Sequence, residues 1–184
     1  ILAVLAVIVE TLFKRLFARI ELHDLDPVVE AAKLHPLVLV PSHRSHFDYL
    51  ILSWLFYRSH LVPPQVAAGI NLSFWPLGPI FRRAGAFLLR RSFDGDPLYT
   101  AVFRSYVQHL IKDGVTQEFF IEGTRSRTGK TLRPRLGMLR MVLEAYARGA
   151  RRDLYLVPVG FTYERLVEEG SVAAVSARYD DWEN

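Results

Sequence analysis

The chain has 184 residues, enough to bury the core of one domain, and 51% of them are hydrophobic. It contains no cysteine, which excludes a disulfide framework, a zinc–thiolate site and a cysteine nucleophile. The formal net charge of +4 at pH 7 favours an anionic partner: a phosphate ligand, an anionic membrane or a nucleic acid. Because residue 1 is not methionine, we expect the chain to be a fragment of a longer protein.

The first predicted element is a helix that changes character along its length. Residues 1–9 are wholly apolar, but Glu10 ends the run before the ~20 residues that a membrane-spanning helix needs. Beyond it, one helical face is apolar and three basic residues lie off that face; the apolar residues are Leu12, Phe13, Leu16, Phe17 and Ile20, and the basic ones are Lys14, Arg15 and Arg19. Such a helix either lies in a membrane interface or packs on the domain, and the sequence leaves both open.

Short apolar runs separated by longer helical patterns organise the rest of the chain. We predict strands over 37–40, 66–70, 86–89, 118–121 and 154–159, and helices over 49–57, 97–111 and 136–147. Strands that alternate with helices at this spacing predict an α/β fold with a mostly parallel central sheet flanked by helices. Residues 71–81 are too broken for a long helix and too apolar for a plain surface loop, so we expect a pocket wall or a membrane-facing ridge.

Residues 41–49, PSHRSHFDY, join the first strand to the next helix and hold a histidine and an acid. In one straight helix His43 and Asp48 would point about 140° apart, so they meet only if His43 precedes the helix and Asp48 lies in its first turn. The carboxylate then accepts from one ring nitrogen and leaves the other as a proton acceptor. Two alternatives stay open: Ser45 and Asp48 also resemble a capping box, and His43, His46 and Asp48 offer ordinary metal ligands.

A second candidate site follows the fourth predicted strand and reads FIEGTRSR over residues 120–127. From 123 to 143 the chain carries six basic residues and no acidic one: Arg125, Arg127, Lys130, Arg133, Arg135 and Arg140. A loop of this charge at the carboxyl edge of a sheet favours an anionic ligand, because arginine donates two parallel hydrogen bonds to phosphate. The alternative is a solvated basic loop, which fits residues 122–125 less well, since an acid there lies beside arginine. The spacing of Gly123 and Gly129 does not fit a P-loop, and no G-x-S-x-G elbow is present.

Four blocks in order resemble the glycerol-3-phosphate acyltransferase family. They are HRSHFD at 43–48, GAFLLRR at 85–91, FIEGTRSR at 120–127 and VPV at 157–159, and the resemblance covers most of residues 37–164. The stretch AGINLSFWP at 68–76 is more similar to the bacterial glycerol-3-phosphate and animal dihydroxyacetone-phosphate branches than to the lysophosphatidate branch. We therefore predict an N-terminal apolar and amphipathic helical segment over 1–34 and an acyltransferase catalytic domain over 35–184.

The resemblance implies acyl transfer from acyl-CoA or acyl-carrier protein to the sn-1 hydroxyl of glycerol 3-phosphate, which gives lysophosphatidate. It implies His43 as the general base and Asp48 as the acid that orients it. The implied substrate-binding residues are Arg91, Arg125 and Arg127 for the phosphate, Glu122 and Gly123 beside them, and Pro158 on the acyl-donor side. No metal, redox cofactor or acyl-enzyme is implied.

Other functions stay open beside this one. The closest is acylation of dihydroxyacetone phosphate; from another class, the chain would be a basic, non-catalytic module that binds lipid or membrane. We expect no nucleic-acid partner, because the basic residues concentrate near two loops and no recognition motif is present. The lipid product and the basic N-terminal helix predict peripheral attachment at the cytoplasmic face of the cell membrane, with Phe74 and Trp75 as a second contact.

Overall fold

The computed structural model describes residues 2–90, 92–93, 95–126 and 128–163. Five parallel strands form the described sheet: β1 (Leu37–Pro41), β2 (Gln65–Gly69), β3 (Ala86–Leu89), β4 (Gln117–Glu118) and β5 (Tyr155–Val159). The helices in the same part of the chain are α1 (Leu2–Leu16), α2 (Leu25–Leu34), α3 (Asp48–Arg58), α4 (Leu77–Arg83), α5 (Pro97–Lys112) and α6 (Gly137–Ala147). The predicted α/β fold with a parallel central sheet and flanking helices is confirmed.

The sheet order places the two candidate loops side by side. The strands lie in the order β3-β2-β4-β1-β5. β1 pairs with β4 and β5, and β2 pairs with β3 and β4, all in parallel. Because the strands are parallel, their carboxyl ends meet at one edge, where the loops after β1 and β4 are neighbours.

Residues of the sheet contribute to two apolar clusters, one on each side of it. On one side, Val38 and Phe119 pack with α5 and α6 through Phe103, Val107, Ile111, Met141, Val142 and Ala145. On the other, here called the α3 face, Leu37 and Leu39 pack with α1 and α3 through Phe13, Ile51, Leu52, Leu55 and Phe56. The helix that begins at Asp48 is therefore seated on the sheet by its own apolar residues.

The amphipathic stretch predicted after Glu10 packs on the α3 face. Phe13 is 3% exposed, and Phe17 and Ile20 pack against the same cluster. The sequence left open whether this stretch lies in a membrane interface or packs on the domain, and these three side chains pack on the domain. Leu12 in the same stretch is 36% exposed, and Val4, Val7 and Ile8 nearer the start of α1 are also exposed. Within the described ranges, no helix has both the length and the apolar character needed to cross a bilayer.

Two segments differ from simple strands and helices. The strand predicted over 118–121 ends at Glu118, because the chain turns after Phe119 N donates to Leu39 O at 3.1 Å. Gly123 N donates to Phe120 O at 2.9 Å in this turn, and its φ of +67° is a conformation that favours glycine. Residues 71–81 divide between a short 3₁₀ turn (Ile70–Leu72) and α4, and both contribute to the wall of a cavity, as the pocket-wall alternative predicts.

Candidate active site

His43 and Asp48 meet in the way their spacing requires. β1 ends at Pro41 and α3 begins at Asp48, so the histidine lies before the helix and the acid opens it. Asp48 Oδ2 lies 3.0 Å from His43 Nδ1. With the carboxylate accepting at Nδ1, the proton resides there and Nε2 keeps its lone pair. The pair thus has the geometry of a general base with an orienting acid.

The Asp48 carboxylate is fully buried and surrounded by donors. Its Oδ2 also accepts from the backbone N–H groups of Arg44 and Ser45, at 2.7 and 2.9 Å, and its Oδ1 accepts from the Tyr163 hydroxyl at 2.6 Å. The bond from Ser45 N resembles half of a capping box, and Ser45 Oγ accepts from Phe47 N at 3.1 Å, but the residue before α3 is Phe47 and no side-chain hydrogen bond caps the helix there. One carboxylate therefore holds the loop before α3 and orients the histidine.

The His43 ring is held on its face and through its backbone. It stacks on Phe120, with 3.9 Å between ring centroids and 23° between the planes. Its carbonyl accepts from Ser126 N at 2.9 Å, and its side chain is 14% exposed. The exposed part lines a cavity of about 840 Å³. A ring held in this way needs little reorganisation before it accepts a proton.

The loop after β4 is tied to the His43 loop by several hydrogen bonds. Glu122, 2% exposed, accepts from His43 N at 3.4 Å and from Leu132 N at 3.1 Å. The Arg44 guanidinium donates to Gly129 O and, at 2.9 Å, to Thr131 Oγ1. The described contacts of Glu122 thus include two backbone donors, one from each candidate loop. The two candidate loops of the sequence form one hydrogen-bonded unit.

The cavity has a basic and an apolar part around His43. Among the arginines that the structure describes, three line it: Arg90, Arg125 and Arg135. Much of the remaining wall is apolar and comes from α1, α3, α4 and the strands; it includes Leu5, Val9, Leu50, Trp54, Phe81 and Leu89. Cations beside an apolar wall fit a ligand that has both an anionic group and a hydrocarbon portion.

Gly123 provides the space through which Arg135 reaches the cavity. A Cβ on Gly123 would lie 2.6 Å from Arg135 Cδ, far inside van der Waals contact. Arg135 N donates to Ile121 O at 2.7 Å, which fixes the backbone beside the same turn. Gly123, predicted as a substrate-binding residue, therefore contributes here by admitting the Arg135 side chain.

The predicted site residues divide into three groups. His43, Gly123 and Arg125 line the cavity; Asp48 and Glu122 support it without lining it. Arg91 and Arg127 lie outside the described residues. Pro158 pairs with Val40 on the edge strand β5, is exposed, and is not among the cavity residues, so its place on the acyl-donor side stays a prediction.

Sequence reasoning did not single out Phe120, Tyr163, Arg90 or Arg135 as site residues. Arg90 and Arg135 belong to basic stretches that were recognised, and their neighbours were preferred. Phe120 lies inside the third block but carries no polar group. Across the described residues, no group of three or more histidine, aspartate or glutamate side chains is arranged to hold a metal ion, including around His43.

A third buried acid lies beneath the pair. Glu118 of β4 is fully buried, and its register opposite Leu39 places it on the α3 face. Neither carboxyl oxygen has a hydrogen-bond partner among the described residues. Burial raises the pKa of Glu118 well above its ordinary value, and the Asp48 charge raises it further. Glu118 is therefore neutral over a wider pH range than an exposed glutamate, so the fold carries one buried charge fewer over that range.

Comparison with known proteins agrees with this fold. The model of the Acyltransferase family matches residues 19–162, and the chain belongs to that family. Its structure is similar to the 1-acyl-sn-glycerophosphate (LPA) acyltransferase PlsC from Thermotoga maritima, with a TM-score of 0.55 and 20% sequence identity. The match covers 78% of this chain and 53% of that protein, so the chain spans about half the length of its structural neighbour. The predicted family is thereby confirmed in its broad sense, whereas its branch is a separate question.

Proposed function

We propose that the protein transfers an acyl group from acyl-CoA or acyl-carrier protein to the sn-1 hydroxyl of glycerol 3-phosphate. The observation that carries the proposal is the His43–Asp48 pair, 3.0 Å apart, at a cavity with both arginine and apolar walls. The fatty chain of the thioester needs an apolar wall, and the phosphate of the acceptor alcohol needs arginine. Both must lie beside the base that activates the hydroxyl. Membership of the Acyltransferase family supports the reaction type.

The chemistry follows from the free nitrogen of His43. As the sn-1 oxygen attacks the thioester carbonyl, Nε2 takes the hydroxyl proton, and Asp48 stabilises the imidazolium through Nδ1. When the tetrahedral intermediate collapses, the carbon–sulfur bond breaks and the imidazolium returns the proton to the departing thiolate. The acyl group passes directly from sulfur to oxygen without an acyl-enzyme, and His43 ends neutral.

The acceptor phosphate is proposed to bind the arginines of the cavity. Arg125 and Arg135 line it beside the turn that follows β4, and Arg90 lines it at the end of β3. The Arg90 guanidinium is already engaged, because it pairs with Asp96 at 2.8 Å and lies 4.6 Å from the Tyr99 ring centre. Arg125 and Arg135 adjoin the turn after β4, which is hydrogen-bonded to the His43 loop, and we propose these two for the phosphate. Arg91 and Arg127 remain proposals from the sequence alone.

Peripheral attachment at the cytoplasmic face of the membrane is part of the same proposal. Val4, Val7 and Ile8 of α1 are 63%, 65% and 56% exposed, and Phe74 and Trp75 are 54% and 84% exposed. Both segments adjoin cavity-lining residues, so an apolar chain leaving the cavity would pass near exposed apolar surface. Lys14, Arg15 and Arg19 are exposed and add attraction for anionic headgroups.

An acyl-transfer assay of the full-length protein tests the function. Glycerol 3-phosphate, dihydroxyacetone phosphate and lysophosphatidate are offered in turn, each with acyl-CoA and with acyl-carrier protein. We expect turnover with glycerol 3-phosphate, which His43→Ala abolishes in a folded protein. His109→Ala is the matched control, because His109 is exposed on α5 and outside the cavity.

Each other outcome selects a different function. Preference for dihydroxyacetone phosphate or lysophosphatidate keeps the chemistry and overturns the acceptor. Normal turnover by His43→Ala overturns the mechanism. Absence of transfer to every acceptor, together with retained binding to anionic vesicles, favours the non-catalytic lipid-binding module.

A further inference from the structure

The segment after β5 brings one more polar group to Asp48. Ser42 N donates to Val159 O at 2.9 Å and Phe161 N donates to Ser42 Oγ at 3.3 Å, so this segment runs beside the loop that holds His43. The Tyr163 hydroxyl then donates to Asp48 Oδ1 at 2.6 Å. Tyr163 lies outside all four sequence blocks and 115 positions from Asp48.

The two oxygens of Asp48 have different partners. Oδ2 accepts from His43 and from the N–H groups of Arg44 and Ser45, whereas Oδ1 accepts from Tyr163. Rotation of a carboxylate about its last torsion is soft, so a donor on Oδ1 determines where Oδ2 points. A separation of 2.6 Å is typical of a hydroxyl that donates to an ionised oxygen, which is among the stronger hydrogen bonds.

We propose that Tyr163 is a positioning residue for acyl transfer, which holds Asp48 so that Oδ2 stays against His43 Nδ1. The proposal rests on the proposed function, because it requires His43 to act as the base. Without the hydroxyl, the carboxylate is held less firmly and Oδ2 can turn away from Nδ1, so the imidazolium that forms during transfer is stabilised less.

The ring of Tyr163 has a separate packing role. It lies 6.2 Å from the Phe17 ring and 6.3 Å from the Phe161 ring, within the apolar cluster of the α3 face. Phenylalanine at position 163 keeps this packing and removes only the hydroxyl. The other titratable groups about the pair stay unchanged in that variant; they are His46 on the same loop, Glu118 on β4 and Glu122 on the loop after β4.

The experiment compares Tyr163→Phe with the parent in two measurements. One is kcat against pH with acyl-CoA and glycerol 3-phosphate; the other is NMR titration of the His43 ring, assigned by its loss in His43→Ala. We expect kcat at pH 7 to fall roughly 10-fold or more, as for loss of one hydrogen bond to a charged group. We expect the acidic limb of the profile and the His43 titration to move to lower pH together, because the imidazolium loses part of its stabilisation.

Two control variants separate positioning from packing. Phe17→Leu disturbs the ring contact and keeps the hydroxyl, so it lowers the melting temperature without moving the profile. Tyr146→Phe removes an exposed hydroxyl that donates to Arg152 O on the other side of the sheet, and changes neither measurement.

The possible results distinguish this proposal from the function on which it rests. An unchanged profile and an unchanged His43 titration in Tyr163→Phe overturn the positioning role, even if kcat falls with the melting temperature. If the parent transfers no acyl group to any acceptor, the proposed function fails. The NMR titration needs no turnover and still decides whether Tyr163 acts on His43 through Asp48.

Discussion

Asp48→Asn removes the charge of the orienting acid while leaving room for its hydrogen bonds. The amide oxygen can take the place of Oδ2 and accept from His43, Arg44 N and Ser45 N. The amide nitrogen then takes the place of Oδ1 and faces the Tyr163 hydroxyl, which can rotate to accept. We therefore expect a folded protein with the His43 ring still in place.

The magnitude follows from the separation of the two groups. Unit charges 3.0 Å apart attract by about 5.5 kcal/mol at an effective dielectric constant of about 20. This attraction exists only while His43 is protonated, during transfer, so its loss raises the barrier rather than weakening substrate binding. At 1.36 kcal/mol per factor of ten, the predicted decrease in kcat is about 10⁴-fold at most. The amide dipole of asparagine keeps part of the attraction, so the smallest decrease in kcat that we expect is about 10³-fold, within the range that a positioned base contributes.

The assay measures release of CoA thiol with a thiol-reactive dye. The chain contains no cysteine, so none of its own side chains adds to the signal. KM for glycerol 3-phosphate is expected to change little, because Asp48 does not line the cavity. A folded Asp48→Asn protein that keeps kcat within about tenfold of the parent would falsify the charge argument.

Asp48→Ala is the contrasting variant. It leaves the buried donors of Arg44 N, Ser45 N and Tyr163 without their acceptor. Each unsatisfied donor costs about 1–3 kcal/mol, so this variant loses stability as well as activity. Comparing the melting temperatures of the two variants separates loss of charge from loss of fold.

Three further predictions concern the groups around the pair. Because the pKa of Glu118 is raised above its ordinary 4.5, the stability contributed by its protonated side chain is complete below pH 4.5 and is lost as pH rises through the folded pKa. Glu118→Gln should therefore be more stable than the parent at alkaline pH. If the urea midpoints of the two proteins changed in parallel across pH, this prediction would be refuted. Gly123→Ala should raise KM for glycerol 3-phosphate by displacing Arg135, as Arg135→Ala does, and the double variant should be no worse than either; additive losses in KM would show that the two act independently. Glutamate in place of three exposed basic residues should reduce sedimentation with anionic liposomes at low salt, and unchanged sedimentation would mean that membrane contact lies elsewhere; the residues are Lys14, Arg15 and Arg19.

Most elements of the fold were predictable because their signals are local. The apolar runs at 37–40 and 86–89 and the helical pattern at 97–111 correspond closely to β1, β3 and α5. The early end of β4 was not predictable, because the turn after it depends on Glu122 reaching His43 N, a contact between residues 79 positions apart. For the same reason the basic pattern located a loop that lines the cavity but did not single out Arg135, which reaches the cavity across Gly123.

The spacing of His43 and Asp48 was predictive because the structure leaves it little freedom. Oδ2 of Asp48 bonds to His43 Nδ1 and to the backbone of Arg44 and Ser45, so the loop wraps around one oxygen at the start of α3. α3 cannot rotate to follow a change in the loop, because Ile51, Leu52, Leu55 and Phe56 seat it on the sheet. One residue added within α3 between Asp48 and Ile51 would turn the carboxylate by about 100° from His43. The hydrogen bonds to Asp48 and the packing of α3 therefore determine whether His43 contacts its orienting acid. This requirement explains why the spacing of the two residues in the sequence was informative.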